Sequence, residues 1–272
     1  MKQDLRVVTL NTWKCEGRYD DRLVWMADGL SELEPDLVCL QEAFACRETG
    51  DDSAGFIAER LSMRAEVLRA RQKLRVFRGA KHQTESNMAV LSSRPMRRID
   101  DLKLAEVDGD RDRWAMQVDV ELHRGQTARV INTHFTHLRS KAGDAARRAQ
   151  AQQVYELCSK SDADVTVCCG DLNAVASSPS LAPLWKIGFA RPRTDDPRGT
   201  FHGEKWSAQR TVRRIDFVEV ATRHSDCLTF SRRALGLNVP KGPNGEFPSD
   251  HAALVADLAI DVSSECHEER TR

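Results

Sequence analysis

The chain has 272 residues, 40% hydrophobic and 30% charged, with no Pro- or Gly-rich tract, which excludes a disordered or fibrous protein and allows a sizeable buried core. Its 41 Lys and Arg balance its 41 Asp and Glu, so no global field draws it to nucleic acid or an anionic membrane. No apolar run approaches the roughly 18 residues of a membrane-spanning helix, and the opening MKQDLRVVTLNTW lacks the apolar core and cleavage site of a secretory signal, so a cytoplasmic protein without stable membrane association is expected.

In chain order, alternation of apolar and polar positions predicts strands at 5 to 11, 37 to 42, 65 to 78, 87 to 92 and 114 to 122, then at 127 to 135, 164 to 170, 212 to 220 and 251 to 260. Helical spacing marks the stripe Leu23, Met26, Leu30 and Leu33, a short segment at 53 to 62, and an Ala-rich segment at 141 to 160. Strands outnumber helices and several are hairpin neighbours, so a mixed sheet system covered by helices fits better than a purely parallel sheet. No linker or short-period repeat divides the chain, which predicts one domain over 1 to 260 and a frayed tail at 261 to 272. The eight cysteines include no CxxC pair, and Cys39, Cys168 and Cys169 lie in apolar runs, so reduced, inert thiols are expected rather than disulfides or zinc.

Polar residues that end or interrupt apolar strands are the site candidates, because a charged group beside a cleft needs a partner. Asn11 closes the first strand and Glu42 the second, and together they offer the hard oxygen ligands that suit magnesium. Taken singly, each also fits a turn-former or a solvated strand end. His134 ends TARVINTHF, with His137 three residues on. In VCCGDLNA a buried strand breaks at Gly170 into Asp171 and Asn173, with an Asx-type turn as the alternative. Asp216 sits between apolar neighbours in VRRIDFVEV, and Asp250 and His251 open the last strand; either acid could orient the imidazole.

Taken together and in order, TLNTW at 9 to 13, LQEAF at 40 to 44, NMAVLSSRPM at 87 to 96, INTHFTH at 131 to 137, CGDLNA at 169 to 174, RRIDFVEV at 213 to 220 and SDHAAL at 249 to 254 resemble the endonuclease/exonuclease/phosphatase superfamily, the group that includes DNase I, abasic-site endonucleases, inositol polyphosphate 5-phosphatases and neutral sphingomyelinases. The resemblance implies an α/β four-layer sandwich in which two mixed sheets pack face to face and helices cover both outer faces. It also implies a magnesium- or manganese-dependent hydrolase of phosphate esters. In that reading Asn11 and Glu42 bind the metal, with Asp250 supporting the metal or His251. Asp171 activates the attacking water, with His251 as second choice for the general base. Asn173, Asn87 and His134 meet the phosphoryl group, His251 stabilises its charge, and Asp216 orients His251. Two departures are Ala252 after the SDH triplet, near where a proline is frequent, and Ser86 before Asn87 in place of a frequent glycine; neither removes a catalytic group.

Loops rather than fold set specificity, and the expected substrate is a phosphorylated small molecule, with nucleic acid as the alternative. A nuclease reading draws on Arg69, Arg71, Lys73, Arg75 and Arg78, expected on one strand face, and on Arg139, Lys141, Arg147 and Arg148. The neutral total charge and 6% aromatic content speak against a strong DNA binder. A catalytically inactive phosphate-binding module is the remote alternative, disfavoured because every expected site residue is present.

Overall fold

Strands that are apolar on both faces need cover on both sides, and this requirement sets the layering. The computed structural model describes residues 2–190, 199–203, 213–222 and 228–261. The elements are β1 (Lys2–Asn11), α1 (Tyr19–Glu32), β2 (Leu37–Cys46), β3 (Asp51–Asp52), α2 (Ser53–Arg60), β4 (Arg64–Phe77), β5 (Ala80–Ser92), β6 (Met96–Lys103), β7 (Trp114–Glu121), β8 (Thr127–His134), α3 (Lys141–Ser159), β9 (Val165–Asp171), β10 (Asp216–Thr222), β11 (Leu228–Gly236) and β12 (Ala253–Asp261). They form one sheet ordered β11-β12-β1-β2-β5-β4, with β3 beside β2, and a second ordered β10-β9-β8-β7-β6. Both sheets are mixed, with parallel β1–β2 and β8–β9 ladders among antiparallel ones.

The sheets pack face to face through Val7, Cys39 and Val90 of the first and Val118, Val130 and Val167 of the second, all fully buried. The outer face of the first sheet is covered by α1 and α2 through Met26, Leu30 and Ile57 against Val8, Leu10 and Val38. The outer face of the second is covered by α3, whose Ala151, Val154 and Cys158 meet Ile131 and Cys168. This is the four-layer sandwich expected. The helices begin where side chains supply acceptors: Ser140 Oγ accepts from the Gly143 N–H at 3.1 Å, and Asp52 Oδ1 from the Gly55 N–H at 3.1 Å.

One polar pair interrupts the apolar seam. Gln41 Nε2 donates to Asn132 Oδ1 at 2.8 Å, and Asn132 Nδ2 donates to the Leu40 and Ala89 carbonyls at 3.0 Å each. The second sheet is thereby hydrogen-bonded to the first through side chains with no exposure.

The structure extends the expected elements in three places. The strand expected at 65 to 78 is β4 (Arg64–Phe77) with Arg78 in the turn, and the polar run AKHQTES continues the hairpin as β5, held by cross-strand bonds rather than by alternation. β6 (MRRIDDLK) and β11 (LTFSRRALG) lie at or near sheet edges without a clear period of two, and each carries a register shift. Residue 212 and the tail from 262 lie outside the described residues. Cys15, Cys39, Cys46, Cys158, Cys168 and Cys169 are free thiols, and no helix among the described residues is long and apolar enough to cross a membrane.

Candidate active site

Side chains alternate across a strand, so the residues that continue the inward face at a strand's end gather at the mouth of the inter-sheet seam. Asn11 follows Leu5, Val7 and Thr9 on that face of β1, His134 follows Ala128, Val130 and Asn132 in β8, and Asp171 follows Val165, Val167 and Cys169 in β9. Asp216 precedes Val218 and Val220 in β10 and pairs directly with Asp171. The apolar pattern that builds the core therefore aims these four polar groups at one point.

Glu42 breaks the alternation. β2 shifts register against β5 between Leu40 and Ala43, and Glu42 takes a left-handed backbone with φ 57°. The bulge brings its carboxylate to the cleft wall that also holds Asn87 and His134. Left-handed Trp13 (φ 59°) and Lys14 (φ 47°) turn the chain after Asn11, and Lys14 Nζ reaches Glu42 Oε1 at 2.6 Å.

Asp171 is the hub. Its Oδ2 accepts from Asn11 Nδ2 at 3.1 Å and lies 3.4 Å from His134 Nε2 and 3.8 Å from His251 Nε2. Its Oδ1 accepts from the Asn173 N–H at 2.9 Å, and Asn173 Nδ2 donates to the Phe135 carbonyl at 3.0 Å. The strand can bring Asp171 here because residue 170 is glycine: at φ 133° a Cβ would stand 1.9 Å from the Thr133 carbonyl oxygen.

His251 Nδ1 is 2.8 Å from Asp216 Oδ2, while its Nε2 is 4.0 Å from Asp250 Oδ1. Of the two acids left open by the sequence, Asp216 is the hydrogen-bonded one. Asp216 is held in turn by Thr200, whose Oγ1 accepts from the Ile215 and Asp216 N–H groups at 3.1 Å each.

Burial and neighbouring charge divide the protonation states. Burial lifts the Asp171 carboxyl, and the nearby Asp216 charge adds to the lift, bringing it up to about 7 against the pull of His251 and the Asn173 and Asn11 hydrogen bonds. Burial opposes the charged form of His251, but the Asp216 and Asp250 carboxylates outweigh it and raise the imidazole to about 10. Burial holds His134 well below the usual range, aided by the positive charges of Arg113 and Lys14, so it is neutral at pH 7.

The donor set fits a divalent cation. Burial raises the Asp250 carboxyl and the negative charge of Glu42 raises it further, so two carboxylates share a region that favours added positive charge. With the amide oxygen of Asn11 they present hard oxygen donors. Asp171, Asp216 and His251 also offer ligand atoms within 4.8 Å of one another, but the short His251–Asp216 hydrogen bond already occupies two of those atoms.

Several supporting residues gave no signal in the sequence. Arg22, 1% exposed, donates to the carbonyls of Thr12, Trp13, Lys14, Glu16 and Pro248, clamping the loops that carry Asn11 and Asp250. Asp110, with no exposure, binds Arg113 through both oxygens, Arg71 at 3.2 Å and Thr136 Oγ1 at 2.6 Å, securing the segment after His134. A buried arginine in a helix and an acid in an irregular loop look like ordinary surface charges in a sequence.

Two cationic groups read as nucleic-acid contacts are largely engaged elsewhere. A bulge in β4 between Leu68 and Arg71 turns Arg69 to Glu85, and Arg78 sits at the hairpin turn paired to Asp20 and Asp51, so the five cations do not share one face. Arg147 is buried and holds the Thr136 and Leu138 carbonyls, while Arg148 donates to the Pro179 carbonyl.

A seam-end cluster of two acids and two histidines beside a carboxylate bulge, on a four-layer sandwich, defines the class. The chain belongs to the Endonuclease/Exonuclease/phosphatase family, whose model matches residues 8–251. Its fold is similar to that of an endonuclease/exonuclease/phosphatase family protein from Bacteroides thetaiotaomicron (16% identity, 96% of this chain and 100% of that one, TM-score 0.75) and one from Beutenbergia cavernae (21% identity, 95% and 72%, TM-score 0.72). It is also similar to TDP2 from Caenorhabditis elegans (17% identity, 95% and 74%, TM-score 0.65). No curated protein sequence matches the chain.

Proposed function

We propose that the protein is a magnesium-dependent hydrolase of phosphate esters in which water attacks the phosphorus in line. The observation that carries this reading is the buried chain Asp171, His251, Asp216, in which one carboxyl is raised to about 7 and the imidazole to about 10. At neutral pH Asp171 is partly ionised and suited to take the proton of the attacking water at Oδ2. Protonated His251 directs Nε2–H at a phosphoryl oxygen while Asp216 holds Nδ1–H. Neutral His134 and the amides of Asn173 and Asn87 bind the remaining phosphoryl oxygens. Glu42, Asn11 and Asp250 would hold magnesium, or manganese in its place, which when bound neutralises phosphoryl charge and stabilises the departing alkoxide. A covalent enzyme intermediate is not needed.

The test is a panel with and without magnesium, comparing a chromogenic phosphodiester, a phosphomonoester, plasmid DNA and inositol phosphates. Metal-dependent hydrolysis that disappears in Asp171→Asn supports the reading. Absence of hydrolysis across the panel removes it.

A further inference from the structure

Three cations stand in one row on the β4 side of the cleft. Arg71, Lys73 and Arg75 pair with Ser86, Thr84 and His82 of β5, so they share one face of the hairpin. Arg71 and Ser86, on that face, line the cleft together with Glu42, Asn87 and His134. Arg71 and Arg113 both bind the carboxylate of buried Asp110, which carries a single charge. Lys73 is exposed on the same face.

Arg75 is the most telling of these residues. It is half-buried, and its Nη1 donates to the Thr84 hydroxyl at 2.6 Å, yet among the described residues no carboxylate lies within ion-pair distance of it. Burial lowers its pKa, with Cys15, Glu42 and Glu16 pulling the other way and Arg71 adding to the fall. A partly desolvated guanidinium satisfied only by a hydroxyl is unfavourable in isolation and becomes favourable when an anion is delivered to it. On the adjoining wall Asn87, 4% exposed, leaves its Oδ1 without a hydrogen-bond partner. Because Asn87 Nδ2 donates to Glu85 Oε2 at 3.2 Å, the amide orientation is fixed and the free Oδ1 offers an acceptor to a donor group of a bound molecule.

We propose that Arg71, Lys73 and Arg75 form a second anion subsite beside the reacting phosphate, so that the substrate is a phosphate ester carrying a second phosphate within reach of β4. The proposal rests on the phosphoester-hydrolase reading for the place of the first phosphate. Guanidinium pairs favour phosphate through bidentate, charge-assisted hydrogen bonds, and two such groups flanking an ammonium suit a phosphate more than a single carboxylate. The second phosphate can belong to a nucleic-acid strand or to a polyphosphorylated small molecule, because the chemistry at the subsite is the same.

Equilibrium binding of thymidine 3′,5′-bisphosphate and thymidine 5′-monophosphate to the metal-free protein tests the subsite independently of turnover. The bisphosphate should bind at least tenfold more tightly, the advantage should vanish in Arg75→Gln, and Arg75→Lys, which keeps the charge but not the bidentate donors, should retain only part of it. Equal affinities in the unaltered protein, or an advantage that survives the Arg75→Gln and Arg71→Gln changes together, would overturn the proposal. Because no catalysis is measured, a protein that hydrolyses nothing in the panel can still pass, so the two readings fail separately. Competition by 5′-phosphorylated oligothymidylate and by inositol 1,4-bisphosphate then separates the sources: Arg75-dependent displacement by either supports the subsite and names the substrate type, and displacement by neither counts against it.

Discussion

Asp171 and Asp216 stand directly opposite each other across the β9–β10 ladder, and His251 bridges them with Nδ1 2.8 Å from Asp216 and Nε2 3.8 Å from Asp171. Two buried carboxylates this close raise each other's proton affinity, and the imidazolium between them offsets part of that rise at Asp171. In the proposed reaction the proton acceptor and the phosphoryl-facing donor both belong to this one unit, so activity and stability should share a pH dependence.

The first prediction concerns that unit. The folded-state pKa of His251, about 10, lies above its ordinary value of 6.5, so the stability it contributes is complete below the lower value and is lost as pH rises through the upper one. Urea unfolding of the metal-free protein should show stability declining between those limits, and Asp216→Asn should flatten the decline. NMR titration should show His251 still protonated at pH 8 in the unaltered protein and neutral in Asp216→Asn. In turnover, His251→Ala and Asp216→Asn should each lower kcat by roughly 10²-fold or more, with less than additive losses in the double variant; additive losses would assign the two residues separate jobs.

The second concerns Glu42 and Lys14. Glu42→Gln keeps the shape but removes the anionic ligand, and calorimetric titration should show manganese affinity falling at least tenfold. Lys14 neutralises Glu42 at 2.6 Å and so competes with a cation there. Lys14→Met should tighten manganese binding; weaker binding in that variant would show that the ammonium supports the site rather than occupying it.

The third concerns Arg22. Its guanidinium serves five carbonyls on two loops, a pattern that three ammonium donors cannot reproduce. Arg22→Met should destabilise the fold by roughly 3 kcal/mol, since it strands the buried Thr12 and Pro248 carbonyls and releases three partly buried ones, and Arg22→Lys should recover little of that in thermal unfolding. Full recovery by lysine would mean that charge, not the donor pattern, matters.

The fourth concerns Gly170. Alanine there would place its Cβ 1.9 Å from the Thr133 carbonyl oxygen on a backbone that disfavours side chains. Gly170→Ala should destabilise the protein by about 2 to 4 kcal/mol in urea unfolding and depress turnover through displacement of Asp171. A loss below about 1 kcal/mol would mean that β8 and β9 separate easily.

Much of this site could be read from sequence because its residues end or open strands whose inward faces are strongly apolar, as with Asn11, His134, Asp171 and Asp216. Glu42 was found by its neighbours, but the bulge that aims it was not, because a left-handed residue other than glycine leaves no mark in composition. Arg22 and Asp110 stayed hidden since burial of a charge depends on partners distant in the chain, such as Pro248 for the first and Arg71 for the second. β6 and β11 escaped for a simpler reason: with polar residues on both faces and a register shift in each, neither keeps the alternation by which strands are recognised.

The Gln41–Asn132 contact gives the sandwich a property that its hydrocarbon cannot. Aliphatic faces tolerate many offsets with similar burial, much as two greased plates slide, whereas an amide pair whose N–H groups find their acceptors across the seam at a single offset behaves as a key in a slot. Asn11 and Glu42 ride on one plate, and His134, Asp171 and Asp216 on the other. The key therefore sets the alignment of the two half-sites, and a shift of a single residue along the seam would leave both plates intact and the cleft between them mismatched.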